Sequence, residues 1–184
     1  MKIILFMMIA ISFLSSSNLS TLYKFYEKQE YDKACNYALK YALKKQNKNN
    51  EQYLTLYGLS CLETNHISRI AVPMVSLTKS EDARANASYF GAILLQKNLL
   101  MQALMDKKSL GELHLPRTNF VLSKIFYLFL KEKYTIKDNI YYLTDEEDET
   151  IVYRLYIKKY KKNIKYMMID IYKNSKFTKR YQYK

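Results

Sequence analysis

Few residues in this chain combine the side-chain types and the spacing that catalysis requires. Among its 184 residues are two histidines, His66 and His114, and neither lies in a recognised catalytic motif. The sequence has no Gly-x-Ser-x-Gly turn, no glycine-rich phosphate loop, no histidine pair at metal-ligand spacing and no close acidic pair in an apolar setting. We therefore expect a non-enzymatic protein with no catalytic residues, metal site or cofactor, and the pattern does not favour a small-molecule substrate.

The charged residues near the carboxyl end are separated by sign. Asp145 to Glu149 form an unbroken acidic run, whereas residues 151–184 hold eleven Lys or Arg against the single acid Asp170. The acidic run lacks the spaced oxygen ligands and turn glycine of a calcium loop, so we expect a solvated hairpin loop. The basic segment is interleaved with tyrosines, and its candidate anion-binding residues are Arg154, Lys158, Lys161, Lys162 and Lys165.

Two interpretations of this basic character stay open. The whole chain carries a net charge of +13 and is rich in Lys, Asn, Ile and Tyr, as expected when the base composition of a genome biases residue choice. The positive charge either forms a functional surface for an anionic partner or only protects the exposed edges of a sheet with lysines.

The amino end predicts export. Lys2 is followed by an apolar run from Ile3 to Leu14 and by the small residues Ser15 to Ser17. About a dozen apolar residues are too few to span a bilayer, so we expect residues 1–17 to be a cleaved signal peptide and the protein to be periplasmic or secreted. A retained membrane anchor is the less favoured alternative. Export argues against a nucleic-acid partner and favours anionic lipid, lipopolysaccharide or an acidic protein.

A short pattern recurs three times after this segment, with blocks 36 and 33 residues apart. The blocks are Leu22-x-x-Phe25-x-x-x-Gln29-x-Tyr31-x-x-Ala34, Gly58-x-x-Cys61-x-x-x-Asn65-x-Ile67-x-x-Ile70 and Gly91-x-x-Leu94-x-x-x-Asn98-x-Leu100-x-x-Ala103. A fixed period in this range is typical of stacked supersecondary units. We expect Asn65 and Asn98 to reverse the chain between paired helices, since Asn tolerates the left-handed conformation.

These blocks resemble the tetratricopeptide repeat, a helix-turn-helix unit of 34 residues. Gly58 and Gly91 match the small residue of the first helix, and Tyr31 and Ala34 match the aromatic and small residues after the turn. The turn glycine of the family is replaced by Gln29, Asn65 and Asn98, and Ile70 replaces an alanine. The resemblance covers roughly residues 19–108 and implies about three α-helical hairpins.

The resemblance also implies a binding surface on the concave face of the first helices. Its outward positions are Tyr23, Tyr26, Glu27, Thr55, Leu59, Glu63, Ser88 and Gln96. The leading functional hypothesis is an exported adaptor or scaffold that binds a protein or peptide partner in this groove. The alternative is an envelope-surface binder that contacts anionic lipid or glycan through the basic carboxy-terminal segment.

The two cysteines fall on helices that would be neighbours in such an array. Cys35 lies on the second helix of the first repeat and Cys61 on the first helix of the second repeat. They either form a disulfide, as an oxidising compartment allows, or remain buried thiols that pack as small apolar residues.

Beyond the repeats, the pattern predicts one more helix and then strands. Pro73 is expected to kink or restart the second helix of repeat two, and residues 117–133, entered at Pro116, are expected to form a capping helix. Residues 150–160 alternate, with Tyr153 and Leu155 opposite Arg154 and Lys158. Further predicted strands cover 140–144, 163–173 and 177–183. Lys161 to Asn163 are expected to connect the strands 150–160 and 163–173 as a β-hairpin. The alternative to this hairpin is one long helix over 150–173.

The expected fold class is therefore α+β. Its parts are a signal peptide (1–17), a helical repeat domain (18–133) and a basic β-rich module (134–184) with a small antiparallel sheet of three or four strands.

Overall fold

The computed structural model describes residues 17–160 and 164–184, in which helices are followed by strands. The α-helices are α1 (Ser17–Glu27), α2 (Tyr31–Tyr41), α3 (Glu51–Leu62), α4 (Ala71–Ser76), α5 (Glu81–Asp106) and α6 (Val121–Leu130). The strands are β1 (Thr135–Lys137), β2 (Ile140–Thr144), β3 (Ile151–Lys159), β4 (Lys165–Lys173) and β5 (Lys176–Tyr183). This order confirms the predicted α+β class. The predicted signal peptide lies outside the described residues except for Ser17, which begins α1.

The first two helical hairpins follow the predicted pattern. Gln29 adopts the left-handed conformation, with φ of 56°, between α1 and α2. Buried Ala34 and Ala38 let α2 pack closely against its neighbours. Asn50 caps α3, because its side-chain oxygen accepts a hydrogen bond from the backbone N–H of Tyr53 at 3.0 Å. The sequence pattern thus correctly places three helices and the loop that separates the two hairpins.

The second hairpin turns differently from the prediction. Asn65 is not among the residues with positive φ, and a 3₁₀ helix (Ile67–Ile70) precedes α4. The helix changes from 3₁₀ to α at Ala71, two residues before Pro73. Proline is tolerated there because the first turn of an α-helix leaves its N–H groups without intrahelical partners.

The predicted third hairpin is wrong. α5 runs without interruption through Asn98, where the repeat pattern places a turn. Neither glycine nor proline occurs between residues 92 and 106, and the segment is rich in Ala, Leu, Gln, Met and Lys. One exposed Asn lowers helix propensity by less than about 0.7 kcal/mol relative to Ala, which these residues outweigh. Ser80 caps the helix at its start, and Lys107 ends it with φ of 53°.

The carboxy-terminal strands form one antiparallel sheet in the order β1-β2-β3-β4-β5. The rival long helix over 150–173 is therefore wrong. β1 is an additional strand that alternation does not reveal, because it has three residues and all are exposed. Two-residue turns with positive φ connect β1 to β2 at Asp138-Asn139 and β4 to β5 at Asn174-Ser175. The predicted connection at Lys161 to Asn163 lies outside the described residues.

Helices and sheet share one apolar core. It extends from Leu22 of α1 through Phe90 of α5 and Phe126 of α6 to Leu155 of β3 and Ile169 of β4. The helix expected over residues 117–133 is α6, which begins at Val121 rather than after Pro116. α6 packs between α5 and the sheet, so it joins the helical layer to the strands.

Candidate ligand-binding face of the sheet

Alternation along the strands gives the sheet one face that packs against the helices and one that does not. Tyr153 of β3 belongs to the shared core, whereas the next residue, Arg154, points the opposite way. Arg154 stands in one row with Tyr142, Asp170 and Arg180 on the neighbouring strands. We call this side of the sheet the outer face. Its charged, polar and aromatic side chains are Tyr142, Arg154, Tyr156, Lys158, Tyr160, Tyr166, Asp170, Tyr172, Phe177, Arg180 and Gln182, and the half-buried Val152 and the buried Met168 lie on the same side.

Arg154 is held between two aromatic rings at the centre of the outer face. Its guanidinium carbon lies 4.0 Å from the ring centre of Tyr172 and 5.4 Å from that of Tyr142. One terminal nitrogen donates a hydrogen bond to the Tyr172 hydroxyl at 3.2 Å. The Arg154 Nε is buried and has no hydrogen-bond partner among the described residues. The cation is thus fixed in place with a donor still unused.

Asp170 organises the polar groups beside it. Arg180 donates to its carboxylate from Nε at 2.5 Å and from Nη2 at 2.7 Å, and the Tyr156 hydroxyl donates at 3.1 Å. These hydrogen bonds with Asp170 raise the pKa of the Arg180 guanidinium further above its ordinary value. Burial, followed by the charge of Asp170, raises the pKa of Tyr156. Arg180 therefore stays positively charged, and Tyr156 keeps its proton, at every physiological pH.

Two exposed rings on the outer face each have a cation over the ring. Phe177 is 52% exposed, and the Arg180 guanidinium carbon lies 5.6 Å from its ring centre. Tyr160, directly after β3, is 41% exposed, with the Lys158 ammonium 5.1 Å from its ring centre. We call these pairs the two ring–cation units. Each places a basic side chain at an apolar flat surface; Lys158 forms no ion pair with the described residues, whereas Arg180 is paired with Asp170.

The candidate anion-binding residues do not all share this face. Arg154 and Lys158 lie on the outer face, together with Arg180, which the sequence did not single out. On the outer face of β3 to β5, these three cations outnumber the single carboxylate, that of Asp170. Lys165 is exposed but pairs with Lys159 on the opposite side of the sheet. Lys161 and Lys162 lie outside the described residues.

The predicted groove residues are not all accessible. Tyr23, Glu27 and Ser88 are exposed, and Tyr26, Leu59 and Glu63 are half-buried. Thr55 and Gln96 are buried, so the expectation that they point outward is wrong. The Thr55 hydroxyl accepts a hydrogen bond from Asn86 at 3.3 Å, and the Gln96 amide donates to the Pro116 carbonyl at 3.0 Å.

The strand β5 occupies part of the helical surface on which the predicted groove depends. The Lys179 ammonium lies 3.0 Å from a Glu63 carboxylate oxygen, and the Asn65 side chain accepts from the Gln182 N–H at 2.8 Å. Buried Lys97 donates to the Lys184 carbonyl at 2.6 Å. Burial, then the charges of Glu63 and Tyr26, raises the pKa of nearby Tyr89 to about 12. This end of the helical layer therefore binds the chain's own last strand.

Cys35 and Cys61 form a disulfide in the structure. The bond links α2 to α3 and is fully buried within the helical layer. The sequence left open a disulfide or two buried thiols, and the structure has the disulfide.

The acidic run forms the loop between β2 and β3, as predicted, but it is only partly solvated. Asp145 is buried, and its carboxylate accepts hydrogen bonds from the Tyr153 hydroxyl and the Lys124 ammonium. Glu146 binds Arg117 and Lys133, each at 2.9 Å. The loop is thus bound to α6 and the residues that flank it.

A cavity of about 840 Å³ lies between the end of α5, residues 107–112, the end of α6 and the β1–β2 hairpin. Its walls combine apolar side chains such as Leu104, Phe129 and Ile136 with the charged side chains of Lys107, Lys108, Glu112 and Glu132. Because these two positive and two negative charges balance, they do not select a ligand of either sign.

Two further findings concern the described ranges only. No cluster of three or more His, Cys, Asp or Glu that could hold a metal ion occurs in residues 17–160 and 164–184. No helix within those ranges combines the length and apolar character needed to cross a membrane. Comparisons of the chain with known protein families, curated proteins and solved structures give no match.

Proposed function

We propose that the protein is a non-enzymatic binding protein that holds an anionic partner against the outer face of its sheet. The observation that carries this proposal is the concentration of fixed cations and aromatic rings on one sheet face. Arg154, Lys158 and Arg180 supply positive charge, and each of them lies over an aromatic ring of the same face.

The outer face is available to a partner. In the described chain, its hydrogen bonds and ring contacts join strand to strand, and none of its side chains belongs to the core shared with the helices. The helical groove has less free surface. Its Glu63 binds Lys179, and its Thr55 and Gln96 are buried. The sheet face is therefore a better binding site than the groove for this protein.

The disulfide supports a location outside the reducing cytosol. Such bonds persist mainly in secreted proteins and in oxidising compartments such as the bacterial periplasm. Together with the apolar amino-terminal segment, Cys35–Cys61 supports the proposal that the protein is exported. An anionic component of a cell envelope is then a more accessible partner than nucleic acid.

The charge-removal variant R154Q/K158Q tests this proposal. Its control, K45Q/K48Q, removes the same charge from exposed lysines in the loop between α2 and α3. Binding of the full chain is measured against phosphatidylglycerol vesicles and polygalacturonate at increasing salt. At about 1 kcal/mol for each cation, R154Q/K158Q should bind its anionic probe about 30-fold more weakly, whereas K45Q/K48Q should match wild type. Equal loss in both variants, or binding that salt does not weaken, would contradict the proposal.

A further inference from the structure

We propose that the anionic partner is a linear acidic polysaccharide, whose sugar rings stack on the exposed rings of the outer face and whose acid groups bind the adjacent cations. This inference rests on the proposed function, because it names the ligand of the same face. Its basis is the pair of ring–cation units at Phe177–Arg180 and Tyr160–Lys158.

Each unit matches the chemistry of one acidic sugar. A pyranose ring presents a face of C–H bonds that packs on a flat aromatic ring, and its acid group projects from the edge of that ring. Phe177 and Tyr160 provide the flat surface and are the two most exposed rings of the outer face. Arg180 and Lys158 lie over those rings, 5.6 Å and 5.1 Å from the ring centres, so a sugar that stacks on the ring surface left open by the cation brings its acid group close to that cation.

The separation of the two units indicates a polymer rather than a single sugar. Phe177 stands in the row of Val152, and Lys158 lies six residues further along β3. At about 3.3 Å for each strand residue, the units are roughly 20 Å apart along the strand direction. A single sugar cannot bridge this distance, whereas a chain of several sugars can. Arg154 lies between the rows of Phe177 and Lys158, so its positive charge is on the path of such a chain.

The polarity of the face favours a sugar chain over a lipid bilayer. Membrane-binding surfaces insert apolar side chains below the head groups. On the outer face, the rings other than Phe177 belong to tyrosines, and Asp170 and Gln182 add further polar groups. The Tyr160 hydroxyl lies 3.4 Å from the Gln182 side-chain oxygen. Phenol and amide groups on this surface can form hydrogen bonds with sugar hydroxyls. The same groups would oppose insertion of the face into the hydrocarbon of a bilayer, because they would lose their hydrogen bonds with water there.

The decisive variants replace the flat rings without removing charge. In the full chain, F177L and Y160L keep an apolar side chain but remove the stacking surface. Both positions are exposed, so the fold should persist, as near-ultraviolet circular dichroism and the thermal midpoint can verify. Y23L is the matched control, because Tyr23 is an exposed tyrosine on α1 at 38%. Binding is titrated with polygalacturonate, its methyl ester, phosphatidylglycerol vesicles and oligo(dT).

Wild type should bind polygalacturonate at least tenfold more tightly than the uncharged methyl ester. The double variant F177L/Y160L should lose at least tenfold in polygalacturonate affinity and none in vesicle affinity, while Y23L should match wild type. Binding to vesicles alone would overturn this inference and leave the proposed function intact. Oligo(dT) bound at least as tightly as polygalacturonate would overturn it in favour of nucleic acid. Binding to none of the anionic probes would overturn both proposals.

Discussion

Lys179 of β5 forms an ion pair with Glu63 at the end of α3, with 3.0 Å between the ammonium nitrogen and a carboxylate oxygen. The two residues are separated by 116 positions in the chain, so this contact joins the last strand to the second helical hairpin. Burial opposes the charge of Lys179, but hydrogen bonds with Tyr181 and Glu63 outweigh it and raise the pKa of the ammonium. The surface that a tetratricopeptide array would offer to a peptide is here partly filled by β5. We therefore place the proposed binding role on the other side of the sheet.

Removal of the disulfide should destabilise the protein without changing its fold. The bond closes a loop between residues 26 positions apart, for which loop entropy predicts a stabilisation of about 3 kcal/mol. C35A/C61A should therefore unfold at lower urea concentration than wild type. A reductant should shift the wild-type curve toward that of the variant and leave the variant's own curve unchanged. A wild-type curve that does not respond to reductant would show that the sulfurs are free in solution.

The two helical glycines matched to the repeat family should respond oppositely to alanine. A Cβ at Gly58 would meet ring atoms of Phe90 at 2.3 and 2.4 Å, and Phe90 is fully buried and cannot move aside. G58A should therefore lower the free energy of unfolding by about 1–3 kcal/mol. A Cβ at Gly91 would only touch the Met74 sulfur at 3.5 Å, so G91A should raise it by about 0.5–1 kcal/mol. Urea unfolding of both variants measures the difference, and equal effects would contradict the contact.

Local patterns predicted the elements whose burial alternates regularly. β2 was predicted with its observed bounds, Ile140–Thr144, and β3 within a residue at each end. The inward and outward sets of β3 were also correct, which placed Arg154 and Lys158 on one face. The pattern could not exclude a helix through Asn98, because an exposed Asn inside a helix and an Asn at a turn read alike in sequence. Tertiary contacts also decided that Gln96 is buried, since its amide binds the distant Pro116 carbonyl.

The ring–cation unit at Phe177–Arg180 could not be found from the sequence. A register shift between Ile171 and Tyr172 changes how β5 pairs with β4, and it brings Phe177 opposite Tyr172. Simple alternation along β5 would assign Phe177 and Arg180 to opposite faces, because three positions separate them. The only local signal was the Asn174-Ser175 dipeptide, whose residues suit a two-residue turn and imply the β4–β5 hairpin.

Asp170 should be needed for the order of the outer face. Its carboxylate is buried and accepts hydrogen bonds from Arg180 and Tyr156. D170N leaves the Arg180 charge without its partner, and because Arg180 is partly exposed we expect a loss of roughly 1–3 kcal/mol. D138N is the control, since Asp138 is exposed in a turn at φ of 52°, which Asn adopts readily. Thermal unfolding compares the two, and a D170N midpoint equal to that of D138N would contradict this role.

Glu146 should make the stability of the protein depend on acid pH. Hydrogen bonds from Lys133 and Arg117 lower its pKa from an ordinary value of 4.5 to about 2. As pH falls below about 4.5, the unfolded chain takes up a proton at this residue, whereas the folded protein does not until pH approaches 2. The contribution of Glu146 to stability is thus complete above pH 4.5 and is lost as pH falls from there toward 2.

The comparison of E146Q with wild type isolates this effect from the other carboxylates. E146Q should be less stable than wild type at neutral pH, and the gap between their thermal midpoints should close as pH falls from 4.5 toward 2. E149Q is the control, because Glu149 lies in the same acidic run, is exposed and forms no ion pair with the described residues. Its midpoint should run parallel to that of wild type across the same pH range. A gap between E146Q and wild type that stays constant with pH would mean that the Arg117–Glu146–Lys133 contacts do not form in solution.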